Sequence, residues 1–137
     1  DISEKALEVA RKNANDLQAR VKFKKSNLFN NLNNTKFDII VSNPPYIKKS
    51  DIKLLSNEVQ KEPEIALDGG YDGLDFYRKI SYKAIEYLKF GSYLCFEIGF
   101  DQKEDVIEII KEINNYSEIY CKKDLYGNDR IVIARVN

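Results

Sequence analysis

The residues Asn43-Pro44-Pro45-Tyr46 form the segment of this chain that is best suited to chemistry. Each proline fixes its own φ, restricts the residue before it and has no N–H, so the carbonyl groups of Asn43 and Pro44 point outward as acceptors. The Asn43 side chain adds one acceptor and two donors in a plane. Tyr46 adds a flat ring on which a planar group can stack. Such a loop suits a planar –NH2 group, which is either an amide or the exocyclic amine of a base.

The same residues could form an ordinary Asn-Pro turn with a surface tyrosine. The run before them, residues 37–42 (FDIIVS), favours a site because it is typical of a buried strand. A buried strand that ends in a rigid polar loop places side chains at the carboxyl edge of an α/β sheet, where ligands bind. We therefore interpret the loop as an active site.

Histidine is absent from the chain, which removes the commonest general base and the commonest metal ligand. Cys95 and Cys121 are far apart in sequence and lack metal-ligand spacing. We predict that they are core thiols in a reducing compartment and that the chain has no metal site. Catalysis must then rest on positioning, hydrogen bonding and a cofactor that carries its own reactive group.

Length and composition indicate one compact domain, since the chain has 137 residues of which 43% are hydrophobic. Its 22 basic residues balance its 22 acidic residues, which argues against a dedicated nucleic-acid binder. The sequence shows neither a signal peptide nor an apolar run long enough to cross a bilayer. We predict a cytoplasmic protein without membrane association.

Helix and strand patterns alternate along the chain, which is typical of an α/β fold. Ser3 can cap the first helix, and the short turn over 126–129 joins the last two strands as an antiparallel hairpin at the end of an otherwise parallel sheet. The predicted elements are a helix over 3–17, strands over 21–25 and 37–42, a helix over 74–88, a strand over 92–98, a helix over 102–113, and strands over 118–122 and 130–136.

A doubly wound sheet that ends in an antiparallel hairpin resembles the Rossmann-like class I fold of S-adenosylmethionine-dependent methyltransferases. The Asn43-Pro44-Pro45-Tyr46 motif is shared by enzymes that methylate amino groups of DNA adenine, RNA guanine and protein glutamine. Three further segments narrow the resemblance: residues 62–74 (EPEIALDGGYDGL), residues 96–99 (FEIG) with Gln102, and residues 124–130 (DLYGNDR). In order and spacing these segments resemble the peptide chain release factor glutamine methyltransferase family over essentially the whole chain.

The resemblance implies S-adenosylmethionine as methyl donor and, as substrate, the glutamine in the Gly-Gly-Gln loop of class I release factors, hence a role in translation termination. Asn43 would contact both the methionine end of the cofactor and the substrate amide. Pro44 would offer its carbonyl to that amide, and Tyr46 would pack on it. Pro45 would be a further substrate-binding residue of the same loop.

The resemblance also implies residues for the rest of the cofactor. Asp1 matches the acidic residue that accepts hydrogen bonds from the ribose hydroxyls at the end of the second strand. Asn27 and Leu28 match the pair beside the adenine, where family members often have aspartate and an aromatic residue. Glu97 and Gly99 lie at the end of the neighbouring strand, where a pocket-lining role and a structural role both stay open.

The family's glycine-rich loop, first strand, most of its second strand and N-terminal helical domain would all lie before Asp1. We therefore expect residues 1–137 to be the C-terminal portion of a single methyltransferase catalytic domain, truncated at the N-terminus. The family places its first and second strands between the third and fourth, so a strand over 21–25 would lack a neighbour. We expect this portion by itself to bind the cofactor weakly or not at all. We also expect it to self-associate through exposed edges or to be disordered over 21–25.

Two other interpretations stay open. A DNA or RNA adenine amino-methyltransferase would use the same motif on a flipped base and would need a basic strand-binding surface. The balanced charge and the segment over 62–74 argue against it. Alternatively, the chain is an inactive fragment that binds no cofactor, which a calorimetric titration with S-adenosylmethionine would reveal.

Overall fold

The computed structural model describes residues 1–33 and 35–137. The chain divides into two compact units, Asp1–Thr35 and Lys36–Asn137, and each is described by itself. The elements are α1 (Glu4–Asp16), β1 (Phe37–Ser42), α2 (Glu64–Leu67), α3 (Asp75–Ala84), β2 (Leu88–Glu97), α4 (Lys103–Glu112), β3 (Tyr116–Lys123) and β4 (Asp129–Val136), with short 3-10 turns at Ile52–Leu54 and Val59–Lys61.

The second unit contains a mixed sheet with the strand order β1-β2-β4-β3. β1 and β2 are parallel, and α3 lies in the connection between them. β4 runs antiparallel to both of its neighbours, β2 and β3. The predicted α/β fold with a terminal antiparallel hairpin is therefore confirmed.

The core of this unit lies between the sheet and the helices α3 and α4. From Ser92 onward every second residue of β2 is buried, and the buried residues of each helix recur at helical spacing, as expected of elements that present one face to a core. The ring of Tyr77 on α3 meets the ring of Phe96 on β2 edge to face, with centroids 5.2 Å apart. The buried core residues are Leu94 and Phe96 on β2, Tyr77, Ile80 and Ala84 on α3, and Val106 and Ile110 on α4.

β1 follows the predicted bounds, but the prediction that it is a buried strand is wrong. Ile39 is 55% exposed and Val41 is 75% exposed. Ile39 and Val41 flank the half-buried Ile40, so they lie on the same face of the strand, and this face is the one left uncovered.

The first unit contains α1, which the side chain of Ser3 caps as predicted by accepting a hydrogen bond from Ala6 N at 3.2 Å. The predicted strand over 21–25 is wrong, since none of these residues is in a strand. In the described part of the chain, Asp1 makes the backbone-to-backbone hydrogen bonds at this segment: its amino group donates to Lys24 O at 3.2 Å, and Ser26 N, just after the segment, donates to Asp1 O at 2.8 Å. This is the pattern of a parallel ladder, and one residue is too short to form a strand.

Other differences from the predicted elements are local. The predicted helix over 74–88 ends at Ala84, and Leu88 begins β2, where it lies opposite Phe37. Leu88 is apolar and continues the helical spacing, but a buried apolar residue fits a strand equally well, so periodicity alone does not show where the helix ends. The single-turn helix α2 was not predicted. Cys95 and Cys121, predicted as core thiols, are half-buried free thiols. None of the helices in the described residues is long and apolar enough to cross a membrane.

Candidate functional site

The loop Asn43-Pro44-Pro45-Tyr46 begins directly after β1, at the carboxyl end of the strand. β1 and β2 run parallel with Ser42 opposite Phe96, so the loop and the end of β2 lie at the same edge of the sheet. This is the edge at which α/β proteins bind ligands.

The loop combines a buried anchor with free acceptors. Pro44 is buried, Pro45 and Tyr46 are half-buried, and Asn43 is exposed. Within the described residues, the Asn43 side chain and the carbonyls of Asn43 and Pro44 have no hydrogen-bond partner. Backbone carbonyls in folded proteins are normally paired or solvated. These three acceptors are therefore available to an external donor such as an –NH2 group.

The far end of the loop is tied to the segment that follows α2. Ile47 N donates to Leu67 O at 3.0 Å, and Gly69 N donates to Ile47 O at 2.9 Å, which makes a parallel bridge between Ile47 and Asp68. Lys49 N donates to Gly70 O at 3.0 Å. The loop is thus held at one end by β1 and at the other by this bridge.

Two glycines let the segment approach the loop backbone. A Cβ atom at Gly69 would lie 2.8 Å from Tyr46 Cα. A Cβ atom at Gly73 would lie 2.5 Å from Tyr46 O, and Gly73 also has a φ of +78°, in the left-handed region that favours glycine. Both positions therefore require glycine for close packing against Tyr46.

Gln102, at the start of α4, joins three segments of the site. Its side-chain Nε2 donates to Tyr46 O at 3.0 Å and to Gly73 O at 3.3 Å, and its Oε1 accepts from Gly99 N at 3.0 Å. In the sequence, Gln102 belongs to the motif with residues 96–99, but the motif gives it no role. Two of its three partners, Tyr46 and Gly73, are 56 and 29 residues away, so its spacing after Gly99 alone does not indicate them.

Tyr77 is completely buried beneath this cluster. Its hydroxyl donates to Glu97 O at 3.0 Å. Burial raises the pKa of the Tyr77 phenol above its ordinary value, and the neighbouring Tyr46 phenol and Glu97 carboxylate raise this pKa further. Tyr77 therefore stays a neutral donor. The carbonyl of Glu97 and the N–H of Gly99 both make structural contacts here.

The other predicted cofactor residues lie together in the first unit. Asp1 Oδ1 accepts a hydrogen bond from Ser3 N at 2.7 Å, and the backbone of Asp1 pairs with Ser26, next to Asn27. Asp1, Asn27 and Leu28 are all exposed. Leu28 has a φ of +49°, which is uncommon for a residue with a branched side chain. The fold thus groups an exposed carboxylate with the pair at 27–28.

Two open hollows lie beside the segment that follows Tyr46. They measure about 370 Å³ and 480 Å³ and share Lys49 and Ser50. Lys53 lines the first hollow, and Lys48 lines the second. Glu64 also lines the first hollow and Asp72 the second, and Lys49 lies 3.9 Å from the Asp68 carboxylate, so the surface next to the loop carries both signs of charge.

Comparison with known sequences gives consistent matches. A family profile described as "Methyltransferase small domain" matches residues 1–90. The release factor glutamine methyltransferase of Fusobacterium nucleatum is 47% identical over 139 residues, which cover 98% of this chain and 39% of that protein. The protein of the same name from Geobacter sulfurreducens is 42% identical over 132 residues, covering 96% of this chain and 46% of that protein. The expected resemblance is confirmed.

A solved structure supports the fold. A methyltransferase from Pyrococcus furiosus superposes with a TM-score of 0.67 at 22% identity, covering 98% of this chain and 59% of that one. The chain spans 39% and 46% of the length of the two curated relatives.

Proposed function

Because this chain belongs to the methyltransferase small-domain family, we propose that it carries the catalytic loop of an S-adenosylmethionine-dependent enzyme that methylates a glutamine side-chain amide. The three free acceptors after β1, on Asn43 and Pro44, are the observation that carries this proposal. Its substrate is the Gly-Gly-Gln glutamine of class I release factors, in line with the names of the relatives. The reaction would then take place in the cytoplasm and serve translation termination.

An amide nitrogen is a poor nucleophile because its lone pair is delocalised into the carbonyl. When the Asn43 side chain and the Pro44 carbonyl accept its two protons, electron density on the nitrogen rises and its position is fixed. The ring of Tyr46 holds the amide plane, and Pro45 keeps the loop stiff.

When bound, S-adenosylmethionine supplies a methyl group on a positively charged sulfur. Asn43 and Pro44 would hold the amide nitrogen that takes up this methyl group in exchange for one of its protons, which would leave to solvent. No side-chain base is required before transfer, which suits a chain without histidine.

The residues of the first unit fit the nucleoside part of this cofactor. Ser3 N occupies Oδ1 of Asp1, which leaves Oδ2 to accept a hydrogen bond from a ribose hydroxyl. Asn27 and Leu28 are exposed beside Asp1 and offer a polar and an apolar contact for the adenine.

One observation favours a second candidate, an adenine amino-methyltransferase. The lysines at 48, 49 and 53 lie beside the loop and could contact phosphates. Three exposed lysines make a small patch compared with the surface that a flipped-base enzyme needs along a strand. The amide substrate is therefore preferred.

The test uses the protein at its natural length with methyl-labelled S-adenosylmethionine. The substrates are a purified class I release factor, the same factor with the Gly-Gly-Gln glutamine replaced by glutamate, and an adenine-containing DNA duplex. We expect mass spectrometry to find one methyl group on that glutamine and none on the variant factor or the DNA. Methylation of DNA with an unmodified release factor would show that the substrate is misassigned.

A further inference from the structure

Gln102 is the polar side chain on which the contacts of the site converge. It is 6% exposed, and its amide connects the end of the catalytic loop, the glycine segment and the turn after β2. A buried amide is unfavourable unless its donors and acceptor are used, and here both ends are paired.

The partners of Gln102 fix the orientation of its amide. Gly99 N can only donate, so the amide oxygen must face it. The carbonyls of Tyr46 and Gly73 can only accept, so Nε2 must face them. Glutamate would lack the donors, and leucine would lack both donor and acceptor, although both side chains have a similar size.

We propose that Gln102 is a positioning residue that sets the direction of the Tyr46 carbonyl and, through it, the placement of the free acceptors on Asn43 and Pro44. This inference rests on the proposed function. β1 and the Ile47 bridge hold the two ends of the loop, and Nε2 of Gln102 holds the Tyr46 carbonyl between them. Because two prolines make the loop stiff, a rotation of the Tyr46 peptide is transmitted to Asn43 instead of being absorbed.

Loss of the Gln102 amide would leave the carbonyls of Tyr46 and Gly73 facing a side chain that cannot donate. The Tyr46 peptide would then turn toward water, and the acceptors would move from their alignment with the substrate nitrogen. Small misplacements of reacting groups have large effects on turnover. We expect kcat to fall roughly tenfold to a hundredfold in Gln102→Leu, with a smaller change in KM for the release factor.

The matched control is Tyr116→Phe. The Tyr116 hydroxyl donates to Ser81 O at 2.7 Å in a buried contact that does not touch the loop. Each variant removes buried hydrogen bonding, so both lower stability, but only Gln102→Leu should lower kcat. Hydrogen exchange gives a second readout: the amides of Ile47 and Gly69 should exchange faster in Gln102→Leu and keep their local protection in Tyr116→Phe.

Gln102→Glu tests the role of the donor by pH. A carboxylate facing two carbonyls has a raised pKa, and its protonated form can donate one hydrogen bond to Tyr46 O. Activity relative to the unsubstituted enzyme should therefore recover as pH falls. The ionisable groups that act on the neighbouring Tyr77 are Tyr46, Glu97 and Arg130, and Asp101 lies beside Gly99. All of these are present in both proteins, so the ratio of the two profiles isolates position 102.

Near-normal kcat and unchanged exchange at Ile47 and Gly69 in Gln102→Leu would overturn the inference. So would a pH profile of Gln102→Glu parallel to that of the unsubstituted enzyme, which covers the case in which the leucine variant does not fold. If the unsubstituted enzyme leaves the release factor unmethylated, the proposed function fails. The exchange comparison still tests whether Gln102 holds the loop.

Discussion

The proposed catalytic loop Asn43-Pro44-Pro45-Tyr46 after β1 and the turn between β3 and β4 both follow a strand. Both belong to the motifs named in the sequence analysis, but they use their polar groups in opposite ways. In the turn, the Asp124 carboxylate accepts hydrogen bonds from Tyr126 N at 2.9 Å and Asn128 N at 3.0 Å. Arg130 also donates to this carboxylate. The loop instead leaves the acceptors of Asn43 and Pro44 free within the described residues.

The difference separates a structural motif from a binding motif. A turn whose polar groups are satisfied internally holds its own shape and has little left to offer a ligand. Its contribution to the site is indirect, because Arg130 donates to Ile98 O at 3.1 Å and so fixes the end of β2 beside Gly99. The unpaired acceptors of the loop after β1, in contrast, are what we propose a substrate binds.

Among the variants that test this difference, Asn43→Ala should have the largest effect on turnover. Asn43→Ala removes an acceptor that orients the substrate nitrogen, so we expect turnover to fall roughly a hundredfold or more. The free energy of unfolding should stay unchanged, since this side chain has no partner in the described part of the chain. Tyr46→Phe is the control, because it keeps the ring face and should have a mild effect. Near-normal methyl transfer by Asn43→Ala would refute the binding role of the loop.

Two glycine substitutions, one beside the loop and one in the turn, separate displacement of the loop from general backbone strain. Gly73→Ala combines a φ of +78° with a Cβ placed 2.5 Å from Tyr46 O, so we expect a loss of ~1–3 kcal/mol in the free energy of unfolding and a fall in turnover. Gly127→Ala in the turn has a similar φ of +86° with nothing within 4 Å of the added Cβ. It should lower stability through strain alone and leave turnover unchanged.

Denaturant unfolding and steady-state methyl transfer on both glycine variants would check this pair. Equal losses of turnover in Gly73→Ala and Gly127→Ala would mean that general destabilisation, and not displacement of Tyr46, explains the effect.

The smallest effect on turnover is expected for substitution of Asp124. Burial raises its pKa, but the hydrogen bonds from Asn128, Tyr126 and Arg130 outweigh this and hold the pKa below its ordinary value. A carboxyl whose pKa is lowered in the folded state stabilises the fold above the unfolded pKa of about 3.9, and this contribution is lost as pH falls below it. Asp124→Ala should lower the melting temperature at neutral pH without changing turnover.

The difference in melting temperature between Asp124→Ala and the unsubstituted protein should shrink as the pH is lowered through this range. A constant difference, or a large loss of turnover at neutral pH, would contradict the structural role of the turn.

Sequence reasoning succeeded where the signal is local. The strand Phe37–Ser42 and the hairpin follow from strand periodicity and turn residues, and the outward carbonyls of the loop follow from two prolines. It failed where the answer depends on distant neighbours. Tyr46 lies 56 residues from Gln102, so the contact between them could not be deduced from spacing. The exposure of Val41 and the absence of a strand over 21–25 likewise depend on neighbours that the local sequence does not specify.

The close approach of Gly69 and Gly73 to Tyr46 limits how the loop can be grafted into another protein. The four residues of the loop do not determine their own conformation. It depends on glycines 23 or more positions away in the chain and on the Gln102 amide at the start of α4. A graft into a new scaffold would have to carry the glycine segment and the start of α4 together with the loop. Chimeras that exchange the loop alone between distant methyltransferases should fold and yet lose their activity.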